Sequence, residues 1–117
     1  MAKLPGRYEE FRAEFPAITE AYDEFARLTA KAGPLSEKTV QMVKLGMAIA
    51  AGLEGAVHSH ARRALEAGAT NDEVRHVGLL AATTVGFPCM IAGLTWIDDV
   101  TGGGLGGRRK AKSKAKK

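Results

Sequence analysis

Of the 117 residues only Cys89 is a cysteine. A lone thiol cannot close an intramolecular disulfide, so a disulfide framework is excluded and a reducing compartment, by default the cytoplasm, is expected. No window reaches the roughly eighteen uncharged apolar residues of a membrane span. The opening MAKLPGRYEEF has no apolar h-region, so no secretory signal is expected. Aromatic residues are few, and no strand-like alternation stands out between the helical patterns.

Charge of one sign is missing from most of the chain. The formal net charge is +4, from 17 basic and 13 acidic residues. Residues 108–117, RRKAKSKAKK, hold seven of those basic groups and no acid, which leaves 10 basic against 13 acidic elsewhere, a net of −3. A mildly acidic body with a basic tail is the result, and a basic nucleic-acid-binding domain is not.

What is there is helical. In RYEEFRAEF (7–15), Tyr8, Phe11 and Phe15 share one face. Pro16 suits the first turn of the next helix, where Ile18, Tyr22, Phe25 and Leu28 form a stripe ending at Gly33 and Pro34. Ser36 is a candidate N-cap for a third helix that is apolar nearly all round from Val40 to Ala51, with only Gln41 and Lys44 polar, and that closes at Gly52. The fourth, EGAVHSHARRALEA, stops at Gly68. Thr70 and Glu73 make a capping-box pattern for a fifth helix expected over 71–87. Pro88 kinks or ends it, and CMIAGLTWIDDV is read as a sixth. GGGLGG reads as a linker to a disordered tail. The expected architecture is all-α, a bundle of five to six helices in one domain over 1–101, with 102–117 as linker and tail.

Helices 40–51 and 77–87 are apolar on more faces than a small monomer covers. Either small residues allow a compact core, or faces are shared between subunits. Association is the expectation.

The chemistry-bearing residues cluster on the fourth helix. His58 and His60 are two residues apart, so they point about 200° away from each other and cannot chelate one metal. His60 shares its face with Val57 and Ala64 and points inward, as a core histidine or as an acid/base. His58 shares a face with Glu54, Arg62 and Leu65, and Glu54–His58 is an i,i+4 pair in the favourable order. His76 reads as a surface or interface residue. Three histidines and one cysteine without motif spacing give no expectation of a metal. Cys89, in FPCMIAG, has an apolar setting that leaves a thiol inert. Thr83 and Thr84 suit back-bonding to the preceding turn. No glycine-rich phosphate cradle is present.

The order of these features, LSEKTVQMVKLGMAIAAG, then VHSHARRALEAGATNDEVRHV, resembles the carboxymuconolactone decarboxylase family, which includes the alkylhydroperoxidase D-like proteins, over about residues 34–100. The resemblance implies an all-α fold and trimers or hexamers. Redox members carry C-x-x-C-x-x-x-H with a relay glutamate on the preceding helix. Placing that histidine on His60 puts the cysteines at Leu53 and Ala56 and the glutamate at Gln41. Thiol peroxidase chemistry, which needs an attacking and a resolving thiol, is therefore not expected.

The lactone decarboxylase branch does not depend on the cysteine pair. It implies acid/base chemistry at His60 on a small organic acid or lactone, with Arg62 or Arg63 meeting a carboxylate and no cofactor. The alternatives are a catalytically silent oligomeric scaffold or small-ligand binder, and a basic tail that holds the oligomer on nucleic acid or another anionic surface. The bland reading of the tail is a solubilising end, since it has no aromatic residues interleaved for base stacking.

Overall fold

A computed structural model describes residues 6–103. The tail and most of the glycine linker lie outside the described residues. Among the described residues are six α-helices and no strand: α1 (Gly6–Glu14), α2 (Pro16–Lys31), α3 (Glu37–Ala51), α4 (Glu54–Glu66), α5 (Asn71–Leu80) and α6 (Phe87–Thr101). The fold is all-α. Within the span 1–101, contacts divide the chain at Leu35 into two compact units. No described helix is long and apolar enough to cross a membrane.

The first unit pairs α1 with α2. Pro16 occupies the first turn of α2, where its missing N–H costs no hydrogen bond. Phe11 and Phe15 meet as tilted rings with centroids 5.2 Å apart. Arg12 lies over the Tyr8 ring and reaches Asp23 on α2 at 3.4 Å. The apolar stripe of α2, from Ile18 through Tyr22 and Phe25 to Leu28, stands exposed in the single chain.

The second unit, α3 to α6, is stitched at its helix ends by the residues expected from sequence. Ser36 caps α3 by accepting from the Thr39 N–H, and Gly52 ends it in the left-handed region at φ 70°. Thr70 and Glu73 form both hydrogen bonds of a capping box at the start of α5. The second Glu73 oxygen takes Lys38 Nζ of α3 at 2.9 Å. Arg75 of α5 holds Asp98 of α6 at 2.9 Å.

One helix is shorter than expected. Instead of running to Phe87, α5 stops at Leu80 and passes into a 3-10 turn over Ala81–Thr83. The N–H groups of Thr84, Val85 and Gly86 all converge on the Ala81 carbonyl, and Gly86 takes φ 113°, which L side chains rarely adopt. Thr84 Oγ1 back-bonds to the Leu80 carbonyl at 2.8 Å. Pro88 therefore stands in the first turn of α6 and starts a helix, where the sequence reading had it kink or end one.

The core is made of Leu45 and Ile49 (α3), Val57, Ala61 and Ala64 (α4), Val74 (α5), and Met90 and Ile97 (α6). Small residues set the spacing. A Cβ added at Gly93 of α6 would lie 2.8 Å from Ile49 Cγ2, so α3 and α6 approach too closely for any side chain there. The outer faces are different: Met47 is 65% and Leu80 55% exposed, with Val43, Leu79, Phe87 and Ile91 also open in the single chain. Within the single chain α3, apolar nearly all round, is covered on one face only.

Gly93→Ala should destabilise the protein by about 1–2 kcal/mol net, because overpacking against a β-branched neighbour outweighs the helix propensity gained. Gly55→Ala, whose Cβ meets nothing within 4 Å, should stabilise by about 0.4–1 kcal/mol. Denaturant midpoints of the two variants, moving in opposite directions from wild type, check both.

Candidate functional site

Both histidines of α4 lie on one helix because EGAVHSHARRALE has no breaker after Gly55 and buries Val57, Ala61 and Ala64. Their spacing sends them to different neighbours. His60 turns toward α3, and His58 turns toward α6.

His60 Nδ1 lies 2.8 Å from Gln41 Oε1. Gln41 is only 4% exposed, so its amide must find partners inside the protein or cost about 1–3 kcal/mol per unpaired group. It finds two. Gln41 Nε2 donates to Glu37 Oε1 at 3.0 Å, one turn earlier on α3. A carboxylate only accepts, so Glu37 fixes which end of the amide points where. Gln41 Oε1, left to face His60, can only accept as well. His60 Nδ1 must then carry its proton, and Nε2 is the basic nitrogen of the neutral ring.

Burial pushes the His60 pKa below its ordinary value, and the nearby cations Arg63 and then Lys44 push it the same way. The imidazole is therefore held toward its neutral form. Beside it, a shallow depression of about 410 Å³ is lined by Glu37, Gln41, Arg63, Glu66 and Ala67. His60 contacts Gln41 and is not itself a lining residue; neither is Arg62. Of the two arginines expected to meet a carboxylate, only Arg63 lines the depression. The lining holds two carboxylates and one guanidinium.

His58 belongs to a second cluster. Its Nε2 lies 3.0 Å from Asp99 Oδ2 on α6. The partner foreseen within α4, Glu54, stands close by: one ligand-type atom from each of Glu54, His58 and Asp99 falls within 4.8 Å of the others. Cys89 is half-buried, and its thiol donates to the Ile49 carbonyl at 3.1 Å. His76 is exposed, as expected.

Two residues of these clusters are absent from the sequence reading. Glu37 was legible, since Glu37-x-x-x-Gln41 places both on one helix face. Asp99 was not, because only the packing of α6 on α4 brings it to His58.

The lowered His60 pKa sets a pH dependence. Where the folded protein resists protonation and the unfolded chain accepts it, stability falls as pH drops below the ordinary histidine value of about 6.5 and stops falling once the folded pKa is passed. A His60→Gln variant keeps a group able to bond Gln41 and lacks the titration. Its melting temperature should decline less steeply than that of wild type between pH 7 and pH 5; parallel profiles would rule out this contribution.

The comparisons with known proteins bear on the fold and the family. No curated protein matches the chain significantly. Among solved structures, a crystal structure described as apo-lpg0406, a carboxymuconolactone decarboxylase family protein from Legionella pneumophila, superposes with a TM-score of 0.68 at 22% identity, covering 80% of this chain and 87% of that one. At that identity the likeness is one of fold. The family model for the carboxymuconolactone decarboxylase family matches residues 16–99, a longer span than the motifs alone mark out. The chain belongs to the carboxymuconolactone decarboxylase family.

Proposed function

We propose that this protein carries out lyase-type acid/base chemistry on a small organic acid or lactone, with His60 taking and returning the proton. The observation that carries the reading is the hydrogen-bonded chain from Glu37 through Gln41 to His60. It orients one imidazole, assigns its tautomer and leaves Nε2 as a base. Gln41 exchanges no proton itself; its part is to hold the ring, with Glu37 preventing the amide from flipping. Arg63 is the cation available to a substrate carboxylate, with Glu37 and Glu66 flanking it. Two carboxylates beside one arginine favour a ligand with a single acid group and an otherwise uncharged body. Arg62, Glu54 and His58 take no part in this reaction.

The thiol route has no support in these residues. Leu53 and Ala56 stand where the redox members have sulfur, and the Cys89 thiol is engaged with a backbone carbonyl of α3. The acid/base route requires no cofactor.

A silent, ligand-binding oligomer is the second reading. It is favoured by the absence of His60 from the lining of the depression. Both readings expect an oligomer, because subunit contacts would cover Val43, Met47, Leu79, Leu80 and Phe87; the trimer or hexamer and the cytoplasmic location are what the family resemblance and the lone thiol imply. The basic tail adds a possible attachment to anionic surfaces, with seven positive charges in its last ten residues.

Turnover of a panel of lactone acids, followed by carbon dioxide release and the absorbance change of double-bond migration, separates the two. The acid/base reading expects wild-type turnover that falls about 100-fold or more in His60→Ala and by a smaller factor in Gln41→Leu, with assembly unchanged. An inert wild type that still binds a panel member establishes the second reading. Light scattering on the purified protein should give a mass of three chains or more; a monomer would remove the assembly from both.

A further inference from the structure

We propose that Glu54, His58 and Asp99 form a binding site for a divalent transition-metal cation of the zinc type, separate from the His60 chain. Glu54 and His58 stand one turn apart on the same face of α4, and α6 brings Asp99 to them. All three ligand-type atoms lie within 4.8 Å of one another. His58 Nε2 and Asp99 Oδ2 are hydrogen-bonded at 3.0 Å, and opening that contact to the roughly 3.4 Å between ligands of a tetrahedral metal with bonds of about 2.1 Å takes only a small side-chain adjustment. Glu54 makes up the remaining distance by a change of rotamer, which an exposed side chain at the start of α4 can make freely.

The charge distribution favours a cation. Among the described residues neither Glu54 nor Asp99 forms an ion pair with a lysine or arginine, whereas the adjacent Asp98 is paired with Arg75. One carboxylate, Asp99, contacts the imidazole, the other, Glu54, stands nearby, and a divalent ion would neutralise both. The donor set narrows the choice of ion. One imidazole nitrogen with two carboxylate oxygens suits zinc, manganese, cobalt or iron(II), whereas calcium and magnesium prefer oxygen alone and copper(I) prefers sulfur. Three protein ligands at a partly exposed position leave room for water to complete the shell.

The test is isothermal titration of the untagged, chelator-treated full chain with zinc chloride, and separately with manganese chloride. One zinc per chain is expected, with a Kd of about 1–100 μM, weakened on the order of tenfold or more in Glu54→Gln, His58→Ala and Asp99→Asn. Glu54 is exposed, so Glu54→Gln reports on the site even if the other two variants fold poorly; circular dichroism checks each. His76→Ala and Cys89→Ala should leave affinity unchanged. Absence of saturable binding below about 1 mM, or binding that survives Glu54→Gln, or loss traced to His76 or Cys89, would overturn the proposal. None of these readouts depends on turnover, so the acid/base reading of His60 stands or falls separately.

Discussion

A buried amide organises the centre of the second unit. Gln41 sits almost wholly out of water on a helix whose other inward residues are Leu45, Ala48 and Ile49, and an amide there is tolerated only when both ends are bonded. That requirement reaches outward in two directions. It draws the Glu37 carboxylate back along α3, and it draws the His60 ring across from α4. The orientation of the ring, its tautomer and its half-buried setting all follow from the need to satisfy one side chain. No buried side-chain polar atom among the described residues lacks a partner.

The partners can meet only because the helices lie close together. Ala61 and Ala64 have no exposure at all, and Gly93 admits Ile49 into the space a side chain would take. Small residues at these crossings let α4 pack against both α3 and α6 while those two also touch. With helices on two sides, α4 can send residues two apart in sequence to separate neighbours. His60 is committed to α3 and His58 to α6, and the repetition in H-S-H marks a helix with two inward-looking edges.

Local chemistry made much of this legible in the sequence. Ser36, Gly52, Gly68, Thr70 and Pro16 act as their residue types suggest, because caps and breakers depend on backbone groups within a few positions. His60 and Gln41, the positions on which the family histidine and its relay glutamate fall, lie 2.8 Å apart. The end of α5 was less legible, since VGLLAATTVGF has the apolar content of a continuous helix and the break depends on the combined demands of Gly86 and Pro88. Asp99 was beyond reach, as nothing within its own helix distinguishes it from Asp98. Only tertiary packing gives one aspartate to an arginine and the other to a histidine.

Glu73 shows what a single carboxylate can tie together. One oxygen closes the capping box on the Thr70 amide while the other holds the Lys38 ammonium, and both contacts keep the acid ionised by lowering its pKa. The first turn of α5 and the anchoring of α3 thereby share one group. Unwinding at the start of α5 releases the lysine, and loss of the lysine loosens that turn. The two helix beginnings thus meet at one carboxylate, and the opening of either takes a partner from the other.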